Sequence, residues 1–72
     1  MFRIHCDANE RDGLGRYILA IQDIAPIADK LTAGMHVILY EPEDYEVEAV
    51  LDFDDKHKVW VALAIWSTIK YL

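Results

Sequence analysis

The amino-acid sequence predicts a small, mainly β domain. Its clearest signal is the segment 45–54, in which apolar residues alternate with acidic ones. Successive side chains of a strand point to opposite faces, so this alternation predicts a strand with one buried face and one solvated face. The segments 35–40 and 58–65, on either side of it, are short and apolar on both faces. Together the three segments predict consecutive antiparallel strands at the centre of one sheet.

Length and composition predict one domain over residues 1–72. The chain has 72 residues, of which 54% are hydrophobic, and it contains two Trp and four Tyr. A chain this short buries only about 60% of its unfolded surface, so these large aromatic side chains are expected to dominate the core. The charged fraction of 28%, combined with this apolar content, argues against disorder.

The residues before the central strands predict two more strands and a helical turn. Residues 2–6 alternate and form the expected first strand, and the polar stretch 7–15 contains glycines that indicate a loop. Residues 16–21 fit either a helical or a strand period, and their Ile and Tyr content favours a strand. Asp23 is expected to cap a short helical turn that ends at Leu31, with Pro26 in its first turn.

The residues after the central strands predict a turn and a closing strand. Trp66, Ser67 and Thr68 form the expected tight turn, and residues 69–72 form the last short strand. The loop before the third central strand, Asp54 to His57, contains no glycine, which favours a four- or five-residue loop over a tight primed turn.

The length of this loop decides which face of segment 58–65 is buried. A four-residue loop pairs Phe53 with Lys58 and Leu51 with Trp60, and a five-residue loop reverses the faces and exposes Trp60. We favour the four-residue loop, because it packs small residues beside large ones. The residues it turns inward are Trp60, Ala62, Ala64 and Trp66.

The same register predicts an apolar stripe on the outside of the sheet, formed by Val50, Val59, Val61 and Leu63. Contiguous apolar surface of this kind usually marks an interface. The first functional hypothesis is therefore a non-catalytic protein-interaction module that forms a homodimer, or docks on another protein, through these four residues.

Charge supports a second hypothesis. The formal net charge is −6, and between Glu41 and Asp55 there are eight acids and no Lys or Arg. Nucleic-acid binding needs a basic footprint, and an anionic membrane would repel this chain, so neither is expected as a partner. The strand residues that predict an acidic face are Glu46, Glu48, Asp52 and Asp54. Such a face is also expected of an acidic inhibitor, or nucleic-acid mimic, that binds a basic groove on a protein target.

No constellation of residues predicts catalysis, a metal site or a cofactor. Ser67 lacks the spacing of a nucleophile elbow, and Cys6 and His5 point to opposite faces of a strand, so they form no dyad. The acids around His57 lack the glycine and glutamate of an EF-hand loop. A third possibility, a ligand-binding barrel, is limited because so small a barrel is filled by its own side chains. We therefore expect no enzyme.

The chain is expected to be cytoplasmic. Its lone Cys6 rules out an internal disulfide. The first residues contain no signal-peptide core, and no apolar run approaches 18 residues.

Residues 31–72 carry a resemblance. In order they contain LTAG, a strand, an acidic turn, two long antiparallel strands that include VWVA, a turn at WST and a closing IKYL. This order resembles that of small SH3-like β-barrels, and it is similar to small uncharacterised bacterial proteins. The resemblance implies a barrel of five to six short antiparallel strands with one short helical turn. It implies no activity, and the proline-rich peptide groove of SH3 domains is not expected because no PxxY precedes the final strand.

Overall fold

The computed structural model describes residues 1–72. Its six strands form one mixed sheet that curls into a half-barrel, in the order β1-β3-β4-β5-β2, with β6 also paired to β4. The mainly β class with one short helix is confirmed. In chain order the elements are β1 (Arg3–His5), β2 (Tyr17–Ile18), α1 (Ile21–Ile24), a first 3₁₀ turn (Ala25–Lys30), β3 (His36–Glu41), β4 (Tyr45–Asp54), β5 (Val59–Ala64), a second 3₁₀ turn (Trp66–Thr68) and β6 (Lys70–Tyr71).

The long strand β4 organises the sheet. It pairs antiparallel with β3 on one side and with β5 and β6 on the other. The alternation predicted from the sequence is confirmed, since one face of β4 is buried and carries Tyr45, Val47, Ala49 and Leu51. With β1, β2 and α1, this face encloses a core that includes Ile4, Tyr17, Leu19, Ile24, Leu31, Val37 and Leu39.

One strand pair runs against the expectation that all strands are antiparallel. β1 is parallel to β3, with Arg3 beside Ile38 and His5 beside Tyr40. A parallel pair needs a long crossover connection. The chain supplies one here, because β2, α1 and the first 3₁₀ turn all lie between β1 and β3.

The ambiguous segment 16–21 contains both a strand and a helix start. Tyr17 and Ile18 form β2, as the sequence favoured, but α1 begins at Ile21. Asp23 is therefore inside the helix and not its cap; Ala20 precedes the helix without a capping side chain. Pro26 lies at the start of the first 3₁₀ turn, where its missing N–H costs nothing.

The β4–β5 register has the predicted parity but is displaced by two residues. Leu51 pairs with Ala62, and Phe53 pairs with Trp60, with their rings edge to face at 5.2 Å. The four loop residues are thus 55–58 and not 54–57. Cross-strand aromatic pairs stabilise sheets, which favours this register over one that pairs Phe53 with Lys58.

The predicted inward face of β5 is largely confirmed. Ala62 and Ala64 are buried, and Trp60 packs against the core. Trp66 was expected to turn inward, but it is 47% exposed because the second 3₁₀ turn carries the chain away from the line of β5.

Candidate functional site

The four residues of the predicted stripe all lie on the face of the β4–β5 pair opposite the core. Val50 is directly opposite Leu63, and Val59 and Val61 follow along β5 opposite Asp54 and Asp52. We call this surface the outer face.

The stripe is less uniform than the sequence predicts. Leu63 is 55% exposed, and Val50 and Val59 are half-buried. Val61, however, is only 1% exposed, although it does not belong to the main core cluster. Its expected exposure was wrong, because β2 pairs with β5 beside it and Arg16 reaches over the outer face.

Two adjoining cavities open on the outer face. The first has a volume of about 370 Å³ and lies between the 12–16 loop and the β4–β5 hairpin. The second has a volume of about 360 Å³ and lies toward the other end of β5, beside Val50 and Leu63. Arg16 and Val61 line both, so all four predicted stripe residues contribute to this pair of cavities.

Arg16 ties the 12–16 loop to the sheet. Its Nε donates to Asp12 at 2.6 Å, and its terminal nitrogen donates to Asp54 at 3.1 Å. Asp12 also accepts from the backbone N–H groups of Leu14 and Arg16, each at 2.9 Å. Hydrogen bonds between charged partners are stronger than neutral ones, so this network fixes the loop as one wall of the first cavity.

Asp54 links this network to the hairpin loop. Its carboxylate accepts from the backbone N–H groups of Lys56 and His57, both at 3.0 Å, and lies 3.1 Å from the His57 ring nitrogen. The hydrogen bond from the His57 side chain, followed by that from its backbone, lowers the pKa of Asp54 to about 2.

The depressed pKa of Asp54 predicts a loss of stability in acid. A carboxyl group whose pKa is lower in the folded state contributes stability above its unfolded pKa, here 3.8, and loses it as the pH falls toward 2. We expect Asp54→Asn to remove this contribution. The free energy of unfolding of the variant should therefore fall less steeply than that of the wild type between pH 4 and pH 2. Urea unfolding followed by tryptophan fluorescence measures this slope. Asp55→Asn, at the neighbouring exposed acid, should follow the wild type, and parallel curves for wild type and Asp54→Asn would contradict the assignment.

The predicted acidic face is mostly paired within the chain. Glu46 accepts from Arg3 at 3.1 Å, Glu48 lies 2.6 Å from the His36 ring nitrogen, and Asp54 binds Arg16. Asp52 is exposed and accepts only from the backbone N–H of its neighbour Phe53. It is the one member of the face without a basic partner.

A polar cluster, which the sequence did not predict, lies on the core side of the sheet, with two buried tyrosines at its centre and the exposed Arg11 at its edge. The hydroxyl oxygens of Tyr17 and Tyr45 are 2.6 Å apart, and Arg11 donates to Tyr17 at 2.8 Å while its guanidinium lies over the rings of Tyr17 and Trp66. Cys6 adjoins Tyr45. One feature of the sequence could have indicated this cluster. Tyr45 lies at an inward position of β4, and a buried hydroxyl group needs a hydrogen-bond partner.

Cys6 is suited to packing and not to nucleophilic chemistry. It is buried, while His5 is partly exposed and contacts Asp23 at 3.4 Å. Burial, followed by the nearby charge of Glu41, raises the pKa of the Cys6 thiol to about 11. The thiolate is the reactive form, so this group stays in its unreactive state at neutral pH.

No group of three or more His, Cys, Asp or Glu side chains is arranged to hold a metal ion, and no helix has the length and hydrophobicity to cross a membrane. Comparison with known proteins found no matching family model, no matching curated protein and no matching solved structure.

Proposed function

We propose that the chain is a non-catalytic protein-interaction module that binds a second copy of itself, or another protein, through the outer face of β4 and β5. The observation that carries the proposal is the pair of adjoining cavities, which Val50, Val59 and Leu63 line together with the floor residue Val61. Concave apolar surface is where partners and ligands usually bind.

The outer face also has the anatomy of an interface. Leu63 is more than half exposed, although the solvated face of an antiparallel sheet usually carries polar residues. Around the apolar residues lie Asp12, Asp54 and His57, which form a polar rim. An apolar centre with a polar rim is typical of interaction surfaces.

The alternative, an acidic inhibitor or nucleic-acid mimic, has less support. A mimic must present several free negative charges to a basic groove. Here Glu46 and Asp54 are each bound to an arginine, and Glu48 adjoins His36. Salt separates the two alternatives. Binding by a charge mimic would weaken steeply with added salt, whereas binding through an apolar contact would persist.

Two further assignments belong to the same proposal. The half-barrel is consistent with an SH3-like fold, supported by the second 3₁₀ turn that precedes the closing strand β6. A bacterial source and a cytoplasmic location remain predictions from the sequence.

The proposal is tested by Leu63→Glu. A charge on this exposed residue should leave the melting temperature nearly unchanged and abolish association. Light scattering at high micromolar concentration reports self-association, and affinity capture with wild-type and variant baits reports binding to another protein. Ile21→Glu is the matched control, because Ile21 is 77% exposed and lies outside both cavities. A monomeric wild type whose captured proteins are the same as those of Leu63→Glu would contradict the proposal.

A further inference from the structure

We propose that the occupant of the two cavities is an extended peptide segment with large apolar side chains at positions i and i+2 and a lysine or arginine beside them. This inference rests on the proposed function, since it names the chemistry of the partner that the outer face would bind. Three observations lead to it: the spacing of the cavities, their lining and the one free acid at their edge.

The spacing of the cavities matches an extended chain. Along β5 the first cavity contacts Val59 and Val61, and the second contacts Val61 and Leu63. The second is therefore displaced along β5 by two strand residues, about 7 Å, and it lies toward β4 whereas the first lies toward β2. Alternate side chains of an extended segment are also separated by about 7 Å along the segment. A segment that crosses β5 obliquely can therefore place one side chain in each cavity.

The lining of the cavities suits apolar side chains. Each cavity, at about 370 and 360 Å³, has room for a leucine or an aromatic side chain. Ile18 and Val59 contribute apolar surface to the first, and Val50 and Leu63 contribute it to the second. Burial of apolar side chains against such surface drives binding, while ordering of the peptide opposes it. We expect a Kd of about 0.1–1 mM for a short peptide.

The charges that line the cavities favour a basic segment. Asp12, Asp52 and Asp54 line the cavities together with Arg16, which is already bound to Asp12 and Asp54, and His57, which already adjoins Asp54. Asp52 is left without a basic partner at the edge of the second cavity. A lysine or arginine of the bound segment can pair with it, whereas an acidic segment would be repelled.

The same charge argues against a second copy as the occupant. Each chain carries a net charge of −6, and a two-fold contact places the same surface of both copies face to face. Such a contact would bring the unpaired Asp52 of each copy into an interface whose stripe residues, all Val or Leu, supply no basic partner. A basic segment of another protein meets no such repulsion.

The test uses three synthetic peptides and ¹⁵N-labelled protein followed by NMR. The peptides have the core sequences Lys-Leu-Ser-Leu-Lys, Glu-Leu-Ser-Leu-Glu and Lys-Leu-Leu-Ser-Lys, with both ends blocked. We expect the first to shift the amide signals of Val59, Val61 and Leu63 on binding. The second should bind at least about tenfold more weakly because of its charge. The third, which has the same composition but adjacent leucines, should also bind more weakly because it fills only one cavity.

Matched variants separate the contribution of apolar contact to peptide binding from the contribution of charge. Leu63→Ser should weaken binding of the first peptide by about fivefold or more, while Ile21→Ser should not change its binding. Asp52→Asn should reduce the preference for the lysine peptide over the glutamate peptide, while Asp55→Asn should retain it, because Asp55 lines neither cavity.

Each contrary outcome has a separate meaning. Equal binding of the lysine and glutamate peptides would overturn the choice of a basic segment. Equal binding of the first and third peptides would overturn the extended arrangement. If no peptide binds but association in light scattering depends on Leu63, the inference fails and the proposed function stands. If no peptide binds and Leu63→Glu changes no association, both fail.

Discussion

Val61→Glu is expected to destabilise the protein strongly, with a loss of about 3–5 kcal/mol in the free energy of unfolding. Val61 is 1% exposed, so a glutamate there would be a buried charge. Val61 is paired with Asp52 on β4. The next outward residue of β4 is Asp54, to which Arg16 is already bound. A domain of this size has a total stability of about 4–10 kcal/mol, so the loss removes from about a third of it to all of it.

The adjacent outward residue of β5 supplies the control. Leu63→Glu places the same charge two residues away on the same face, but at a side chain that is 55% exposed. We expect its stability to change by no more than about 0.5 kcal/mol. Val61→Ala should lie between them, at about 1–3 kcal/mol, because it leaves a small cavity without a charge. Urea unfolding of the three variants measures the series, and equal stability of Val61→Glu and Leu63→Glu would show that Arg16 does not close this part of the outer face.

The position of Val61 shows what the sequence can and cannot predict about the site. Period-two alternation identifies Val59, Val61 and Leu63 as sharing one face of β5, and the parity of the loop places Val50 of β4 on the same face. Alternation carries no information on what covers a face. The cover comes from β2, which pairs with β5 beside Val61, and from Arg16, whose partner Asp54 is distant in the sequence, so no local pattern contains it.

The register error has a similar origin. The loop at residues 55–58 ends on Lys58, whose φ of 57° lies in the left-handed region. Residues other than glycine and asparagine rarely adopt this conformation, so nothing in the sequence indicated it. The pairing of Phe53 with Trp60 and the hydrogen bonds to Asp54 stabilise the loop in this arrangement. The parity of the loop was predictable because one face of β4 is apolar, but its exact position depended on these tertiary contacts.

The sequence pattern also did not predict that β1 pairs with β3 in parallel. Residues 2–6 alternate as a strand should, and this predicts a strand but not its neighbour or its direction. The direction follows from the path of the chain, since β2, α1 and the first 3₁₀ turn cross over before β3 begins. The helical segment itself was predictable from Ile24, Ile27 and Leu31, which do pack on the core side.

The second large effect is expected in the polar cluster on the core side of the sheet, where Tyr17→Phe should cost more than Tyr45→Phe. The two hydroxyl oxygens are 2.6 Å apart in the core, and both tyrosines are buried. In Tyr45→Phe, the Tyr17 hydroxyl still accepts from Arg11, which donates to it at 2.8 Å. In Tyr17→Phe, the Tyr45 hydroxyl keeps only Cys6, and sulfur is a weak hydrogen-bond partner. A buried polar group left without a partner costs about 1–3 kcal/mol, so we expect about 2 kcal/mol for Tyr17→Phe and about 1 kcal/mol for Tyr45→Phe.

The double variant Tyr17→Phe/Tyr45→Phe decides whether the two hydroxyl groups act as a pair. It removes both groups and leaves no orphaned tyrosine hydroxyl, so its cost should be smaller than the sum of the single costs by about 1 kcal/mol. Urea unfolding of the four proteins at neutral pH measures this difference, since burial raises the pKa of Tyr45 and keeps its hydroxyl protonated there. Tyr40→Phe provides a control, because Tyr40 lies on the outward side of β3, beneath the guanidinium of Arg3, and should be near neutral. Strictly additive costs would mean that the Tyr17–Tyr45 hydrogen bond does not stabilise the fold, and a larger cost for Tyr45→Phe than for Tyr17→Phe would contradict the expected order.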